Sequence, residues 1–316
     1  MVNFRFHIIS LVAVFLALGI GVLMGSTVID QATVKGLKNN LASYKHRSEA
    51  ERKRANELAD DLSRWDKFAE QARDQLLPGR LAGVPVLLVA VQGVAHDRVA
   101  DLHTWLGQTE ADDQGTLWLQ SKLAASGSND SQQLAQVLGT TTTRPDVLRR
   151  EVVGQLSDAL VRPAAQSTPP PGPLLAQLRQ AGFVDYDSPS GHNLDVGSIP
   201  APGTRLVVIS GPGADVPDVQ LAVPLCGALA RNQDARVVAA EGLNGDPQAR
   251  TEFVGPLRRD KTMNARVSTV DDLEQFYGTV ALVLALDDLG RGDVGHYGVG
   301  PGASRLVPAP AQPPNG

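Results

Sequence analysis

An unbroken apolar stretch without a charged side chain, Phe6 to Ile29, lies close to the start of the chain. About 24 residues at a rise of 1.5 Å make roughly 36 Å of helix, which exceeds the roughly 30 Å hydrocarbon core of a bilayer. The pattern predicts a transmembrane anchor over residues 6–29. A cleaved secretory signal, whose apolar core is usually about 7–15 residues long, is the main alternative. A buried helix of a soluble domain is the other.

Small residues recur at every fourth position of this stretch, at Ala13, Ala17, Gly21 and Gly25. A stripe of small residues lets two helices approach closely in lipid, where packing drives their association. It predicts a packing face on the membrane helix, although glycine and alanine are also common in membrane helices generally. The stretch contains no Asp, Glu, Lys or Arg. It therefore indicates an anchor rather than a pore or an ion relay.

A heptad pattern follows the apolar stretch and ends at Pro78-Gly79. Apolar residues that alternate at spacings of three and four over about six heptads are typical of a coiled coil, which we predict over residues 30–77. Ser48 and Glu51 interrupt the pattern with polar side chains. The apolar residues of the predicted seam are Val34, Leu37, Leu41, Tyr44, Leu58, Leu62, Trp65 and Leu76.

The charges beside this seam fit a parallel homodimer poorly. Arg47 would face Arg52 of the second copy, and Asp61 would face Asp66. Like charges at these positions disfavour self-pairing. A homodimer is the default expectation, but it is either weak or accompanied by a second kind of helix with a different charge pattern. A solitary amphipathic stalk that packs on its own domain is a further alternative.

Beyond Pro78, short apolar runs alternate with helical patterns. This alternation predicts an α/β domain over residues 80–300, with a mostly parallel, Rossmann-like sheet covered on both faces. The predicted strands are 84–91, 116–119, 206–209, 236–239 and 280–286, and the predicted helices are 97–106, 145–161, 174–181 and 219–231. A proline-rich linker or loop is expected from Pro163 to Pro173, and a disordered tail over 301–316.

Composition narrows the classes of function. The formal net charge is −5, and the acidic excess lies beyond the nearly neutral stalk. This charge argues against nucleic acid as a partner, since such partners require a basic surface. Cys226 is the single cysteine, so no disulfide can form within the chain. Its apolar surroundings predict a buried thiol rather than a reactive one.

Candidate chemistry is sparse. The segment GPGAD, from Gly211 to Asp215, follows a predicted strand, but Val216 stands where a dinucleotide loop has its third glycine. A tight turn is therefore favoured over a nucleotide site. His96 and His103 share a predicted helix, where seven residues correspond to about 10 Å, too far apart for one metal ion. The chain has no Cys-x-x-Cys and no methionine cluster, which are the soft ligands that Cu(I) prefers.

Two acidic pairs, at 271–272 and 287–288, lie beside apolar segments. Ser268 or Thr269 ahead of the first pair suggests a helix N-cap supported by negative charge. A metal site or a catalytic dyad formed by these acids with His296 is the less favoured alternative. The sequence contains no recognisable nucleophile elbow. We expect no enzymatic activity, and no cofactor is evident.

Several segments are distinctive when taken together: the span HIISLVAVFLALGIGVLMGS, the coiled coil, the α/β domain, TVALVLAL, and two motifs, STVDD (Ser268, Thr269, Val270, Asp271, Asp272) and GHYG (Gly295, His296, Tyr297, Gly298). Together they resemble the actinobacterial MctB family. Members of this family are described as copper transporters or copper-transport outer-membrane proteins. The family is also known as SteB, which works beside a cytoplasmic-side partner, SteA, in cell separation through control of a peptidoglycan hydrolase. The resemblance assigns no catalytic or metal-binding residue.

The resemblance implies a single-pass protein of the cell membrane, with a cytoplasmic N-terminus and an exported domain. The charges alone favour the opposite orientation, because Arg5 precedes the span whereas Lys35, Lys38 and Lys45 follow it. The resemblance implies a function in copper transport or homeostasis. It is also the only indication of copper as a ligand. The residues themselves favour a membrane-anchored adaptor, a dimerising rod that displays an α/β platform at the cell envelope. The resemblance implies a SteA-type membrane partner, and a coiled-coil envelope protein is a further candidate partner.

Overall fold

The computed structural model describes residues 4–162, 172–189, 191, 194–242 and 252–309, apart from the side chains at 26–34, 66, 70, 73, 74 and 76. The chain forms two compact units, Met1–Glu70 and Gln71–Gly316. Residues 163–171 of the expected linker and residues 310–316 of the expected tail lie outside the described residues. Residues 301–309 of that tail are described, and the Ser304 N–H donates to the His296 carbonyl at 2.8 Å.

A single helix, α1, runs from Phe4 to Leu76. Its segment Phe4–Gly25 has a mean hydropathy of 2.6 and is the one described helix long and apolar enough to cross a membrane. A signal sequence near an N-terminus can also meet this criterion of length and composition. The helix ends just before Pro78-Gly79, where Gly79 has a φ of +71°. This is the end that the sequence predicts, since proline cannot continue a helix and glycine adopts positive φ readily.

The second unit consists of seven strands and eight further α-helices within the described residues. The strands are β1 (Pro85–Val91), β2 (Asp112–Leu119), β3 (Val184–Asp187), β4 (Arg205–Ser210), β5 (Val237–Glu241), β6 (Val267–Val270) and β7 (His296–Tyr297). The helices are α2 (His96–Gln108), α3 (Ser128–Leu138), α4 (Pro145–Val161), α5 (Gly172–Gln180), α6 (Ala222–Arg231), α7 (Val254–Arg259), α8 (Lys261–Asn264) and α9 (Phe276–Arg291).

The strands form one sheet in the order β3-β2-β1-β4-β5-β6-β7. Every neighbouring pair is parallel except β2 and β3, which are antiparallel. The chain builds the sheet outward from β1 in one direction and then returns to add β4 to β7 on the other side. The prediction of a mostly parallel α/β sheet is confirmed.

Both faces of the sheet are buried, and this explains the continuous apolar run of β1. Leu87, Val89 and Val91 belong to one core, together with residues of α3, α4, α5 and α6. Val86, Leu88 and Ala90 belong to the other, together with α2 and α9. Successive side chains of a strand point to opposite faces, so a strand between two helical layers must be apolar at every position.

The predicted strand at 280–286 is wrong, because this segment forms the middle of α9. The segment is buried at almost every position, as Val280, Ala281, Leu282 and Val283 illustrate. A helix buried nearly all round loses its amphipathic period, and a short apolar run cannot then be distinguished from a buried strand.

Three short strands were not predicted, namely β3, β6 and β7. β3 has an alternating polar pattern, VDYD, and lies at an edge of the sheet, while β7 has only two residues. Helices α3, α7 and α8 were also not predicted. The predicted helix at 219–231 starts later than expected, because a 3₁₀ turn at Asp218–Gln220 precedes α6. Such short elements depend on tertiary contacts more than on local sequence pattern.

Candidate functional site

The two motif segments, STVDD and GHYG, lie side by side at one edge of the sheet. STVDD begins in β6 and GHYG contains β7, and these strands pair in parallel. Thr269 is the register partner of His296, and Val270 is the partner of Tyr297. The Gly295 N–H also donates to the Ser268 hydroxyl at 3.2 Å. Strand pairing therefore joins segments that are more than twenty residues apart in sequence.

A buried ion pair between Arg258 and Asp271 lies at the centre of this cluster. The Nη1 of Arg258 is 2.6 Å from Oδ2 of Asp271, and the two side chains are 2% and 0% exposed. Arg258 Nε donates to the Thr269 hydroxyl at 2.8 Å, and Nη2 donates to the Tyr297 carbonyl at 2.8 Å. These further bonds help to compensate for removing two charges from water. Sequence analysis missed Arg258, which gives no local signal of its role.

The Asp271 carboxylate also holds the chain that follows GHYG. Its Oδ1 accepts hydrogen bonds from the N–H groups of Val299 at 2.7 Å and Gly300 at 3.2 Å. Gly298 has a φ of +122°, and a Cβ at this position would overlap the Asp271 carboxylate. The Asp271 carboxylate thus pins the segment 298–300 to the end of β6, and this requires a glycine at position 298.

His296 is enclosed in the same network. Its Nε2 is 3.1 Å from the Asn264 carbonyl, and its Nδ1 is 3.0 Å from the Thr269 hydroxyl. Because a carbonyl only accepts, we assign the proton to Nε2 and the acceptor role to Nδ1. Burial and the nearby Arg258 lower the pKa of His296, which favours this neutral form. Both ring nitrogens are therefore occupied by structural hydrogen bonds.

The expectation of a helix N-cap at Ser268 or Thr269 is wrong. Both residues lie in β6, and the following helix begins only at Phe276. Asp272 instead has a positive φ of +55° and accepts a hydrogen bond from the Tyr277 hydroxyl at 3.1 Å. A short strand buried on both faces has no polar alternation, so the Ser-Thr-x-Asp-Asp pattern imitated capping chemistry.

The acidic pair at 287–288 is not beside a strand but within α9, where Arg291 forms ion pairs with both residues. Asp271 is occupied by Arg258 in the same way. Across the part of the chain that the structure describes, no group of three or more His, Cys, Asp or Glu side chains could hold a metal ion. The motif cluster is built as an internal brace of the fold.

The segment GPGAD forms a turn after β4 and touches the loop after β1. The Asp215 N–H donates to the Gln92 carbonyl at 2.7 Å. A Cβ at Gly93 would overlap the carbonyl oxygen of Gly213. In dinucleotide-binding sheets the phosphates lie in the crevice between these two strands, where the strand order reverses. Here the two loops contact each other at that place, which agrees with the tight-turn interpretation.

A cavity of about 410 Å³ opens at the carboxyl ends of the central strands. Open α/β sheets bind ligands at this end. Its walls combine aliphatic side chains with charged groups of both signs, and so favour no particular charge on a ligand. Representative lining residues are Val94, Arg98, Val99, Ile209, Leu273 and Glu274.

Glu241, the last residue of β5, is a buried carboxylate that sequence analysis missed. It is fully buried and accepts hydrogen bonds from the N–H groups of Glu252, Phe253 and Val254 at 2.9–3.2 Å. Burial raises the pKa of Glu241 to about 7, although these N–H groups oppose the shift. The carboxylate fixes the start of α7, and thereby the position of Arg258 at the end of that helix.

The two histidines of α2 have separate roles. The His96 ring stacks on Trp118, with ring centroids 4.0 Å apart. His103 bridges α2 to β2, because its Nδ1 is 2.6 Å from Asp113 Oδ2 and its Nε2 is 2.8 Å from the Thr116 hydroxyl. Cys226 is fully buried, as expected, and burial raises the pKa of its thiol.

The predicted seam of α1 is exposed in the single chain. Its described side chains are 63–71% exposed. The stripe of small residues contributes Ala17 and Gly21 to a shallow groove on the apolar segment, beside Val14, Leu18 and Val22. The described seam residues are Leu37, Leu41, Tyr44, Leu58, Leu62 and Trp65.

These elements define a class of protein: an α/β protein that carries one N-terminal apolar helix of membrane-spanning length. A family model described as "Copper transport outer membrane protein, MctB" matches residues 1–308, and the chain belongs to this family. The chain is 27% identical to a protein named "Copper transporter MctB" from Mycobacterium tuberculosis (strain H37Rv), over 97% of this chain and 99% of the relative. It is 26% identical to a protein of the same name from Mycobacterium leprae, with the same two coverages.

Proposed function

We propose that the protein is a non-enzymatic, membrane-anchored component of copper homeostasis in the cell envelope. It acts by presenting a coiled-coil helix and an exported α/β domain, not by conducting or storing copper itself. The exposed apolar seam on α1 carries this proposal. Large side chains such as Leu58 and Trp65 are more than 60% exposed in the single chain, and such a face is stable in water only when a second helix covers it.

The motif cluster supports a non-enzymatic role. In the described part of the chain, Arg258 forms an ion pair with Asp271, and His296 is hydrogen-bonded to Thr269. None of these side chains lines the cavity at the carboxyl ends of the strands. Reactive side chains in enzymes usually keep a hydrogen-bonding atom unpaired or remain accessible to the substrate. The cluster keeps the C-terminal part of the domain in place so that its surface is rigid.

Copper binding is the first test of the indirect role. Full-length protein in detergent would be titrated with Cu(I) and Cu(II) against a competing chelator of each ion. We expect no tight, stoichiometric complex, because the single thiol is buried and the described residues contain no ligand cluster. The Cys226→Ala variant controls for copper captured by thiol in unfolded protein. A complex that retains one copper ion per chain in both proteins would contradict the proposal.

The second candidate function is that of an adaptor in cell separation, in which the α1 seam recruits a partner helix that controls a peptidoglycan hydrolase, beside a SteA-type protein. The charges of the sequence favour it. Lys38, Lys45, Arg47, Arg52 and Arg54 flank the first part of the seam, so two parallel copies would repel each other there. A partner helix with acidic residues at the facing positions would remove this repulsion.

Site-specific crosslinking in cells tests the adaptor. A photo-crosslinker at position 47 or 52, beside the seam, is expected to capture a second envelope protein. The same probe at Lys53, on the opposite side of the helix, is the matched control and should capture much less. The substitution Arg47→Glu should reduce capture from position 52, whereas Lys53→Glu should not. Capture of only a second copy of this chain would instead establish a homodimer and contradict the adaptor.

A further inference from the structure

Two arginines lie side by side at the amino ends of β4 and β5, away from the motif cluster. Leu206 is the register partner of Val237, so Arg205, the first residue of β4, lies beside Arg236, the residue just before β5. Leu206 belongs to one core, and the side chain of Arg205 points to the opposite face, where it contacts α9. Like charges directly opposite on neighbouring strands destabilise a sheet.

Within the described residues, neither arginine forms a direct ion pair with a carboxylate, although the charge of Asp287 acts on Arg205. Arg205 Nη1 donates to the Leu286 carbonyl, and Arg236 Nη1 donates to the Gln233 carbonyl at 3.3 Å. Within the described residues neither guanidinium forms an ion pair, since the nearby Asp287 pairs with Arg80 and Arg291. Most of the N–H groups of the two side chains remain available to a ligand.

Arg205 is held in a fixed position. Its guanidinium lies against Gly290 of α9, where a Cβ would come within 2.5 Å of Nη2. Burial lowers the pKa of Arg205; the carboxylate of Asp287 opposes this shift, and the neighbouring Arg236 and Arg291 add to it. Arg205 is thus a half-buried cation beside a second arginine, and two adjacent guanidinium groups can hold one anion between them.

Arg205 and Arg236 both line a single cavity of about 440 Å³. Its lining also includes aliphatic side chains of α4 and α9, such as Leu160 and Leu289, and the residues Gly203 and Thr204 that precede β4. Asp234 is the one carboxylate among the lining residues, and it forms no ion pair with either arginine within the described structure. The lining therefore carries two positive charges and one negative charge.

We propose that this cavity binds a phosphate group between Arg205 and Arg236. A phosphate dianion matches the two guanidinium charges, and its oxygens accept the forked pairs of N–H donors that arginine presents. The cavity is larger than a single phosphate ion, so the phosphate can belong to a larger molecule whose apolar part contacts Leu160 and Leu289.

Inorganic phosphate is the probe for the first experiment. The melting temperature of the full-length protein in detergent would be measured against phosphate concentration, with chloride at equal ionic strength as the reference. A ligand that binds only the folded state raises the melting temperature as its concentration rises. We expect this rise with phosphate, and a larger rise with glycerol 3-phosphate if the site takes phosphomonoesters rather than the free ion.

Three variants decide whether the effect belongs to this cavity. Arg236→Gln, at an exposed position, should weaken phosphate binding about tenfold, the loss of roughly one charge-assisted contact. Arg259→Gln makes the same charge change at an exposed position outside the cavity and should leave binding unchanged. Asp234→Asn should tighten binding about threefold, because it removes the opposing charge.

The opposite signs expected for Arg236→Gln and Asp234→Asn make the proposal falsifiable without a substitution at Arg205, which contacts α9 and contributes to folding. No phosphate-specific rise in melting temperature would overturn the proposal. An equal loss of the effect in Arg236→Gln and Arg259→Gln would also overturn it, because this result would reflect net charge alone.

Discussion

Replacing Arg258 by methionine should lower the free energy of unfolding of the α/β domain by about 3–5 kcal/mol, the usual cost of removing one partner from a buried ion pair. Asp271 would remain as a carboxylate with no exposure to solvent and without its cation. The Thr269 hydroxyl and the Tyr297 carbonyl would each lose a hydrogen-bond donor. Urea denaturation followed by tryptophan fluorescence measures the loss.

Arg259→Met is the matched control for this experiment. Arg259 is the next residue of α7, but its side chain is exposed, so we expect a change below about 0.5 kcal/mol. The double variant Arg258→Met with Asp271→Asn should lose less than the sum of the two single variants, because the second change removes the unpaired charge. Equal losses for Arg258→Met and Arg259→Met would show that the ion pair does not brace the domain.

Replacing Gly93 by alanine should destabilise the domain by about 3 kcal/mol or more, through backbone strain and a steric clash. Gly93 has a φ of +98°. Its new Cβ would overlap the carbonyl oxygen of Gly213 and come within 2.7 Å of the Asp215 nitrogen. The loops after β1 and β4 would have to separate, and the hydrogen bond from Asp215 to Gln92 would break.

Gly79→Ala is the control variant that separates the cost of backbone strain from the cost of the steric clash. Gly79 also has a positive φ, +71°, but a Cβ there would meet no atom within 4 Å. We expect a cost of only about 1–2 kcal/mol from the left-handed backbone. Amide hydrogen exchange in residues 211–216 should become faster in Gly93→Ala and stay unchanged in Gly79→Ala. Similar stability and similar exchange in the two variants would contradict the close contact between the loops.

Much of the fold could be predicted because the relevant signals are local. The apolar runs that form β1, β4 and β5 are continuous, as strands of a sheet covered on both faces must be. The prediction failed for the segment around Val280, where burial on nearly every side removed the helical period. It also failed for β7, which has two residues and exists because β6 offers a pairing edge.

The candidate site was predictable only in part. The motif residues Asp271 and His296 could be singled out, but their roles depend on Arg258, which comes from a short helix held by Glu241. The six residues of α7 carry too little periodic information to be predicted reliably, and an isolated arginine gives no indication of its partner. An N-cap was a reasonable local interpretation of Ser268 and Thr269, and only strand pairing overrules it.

The sequence by itself determined the apolar N-terminal helix, the heptad face and the alternation of elements behind the parallel sheet. Each of these features follows from a hydrophobic periodicity or a run of apolar side chains within a single segment of the chain. Tertiary structure alone decided which distant residues lie close together: Arg258 and Asp271, Gly93 and Gly213, and Arg205 and Arg236. Those contacts depend on strand order and register, which follow from the packing of the whole domain and not from any one segment.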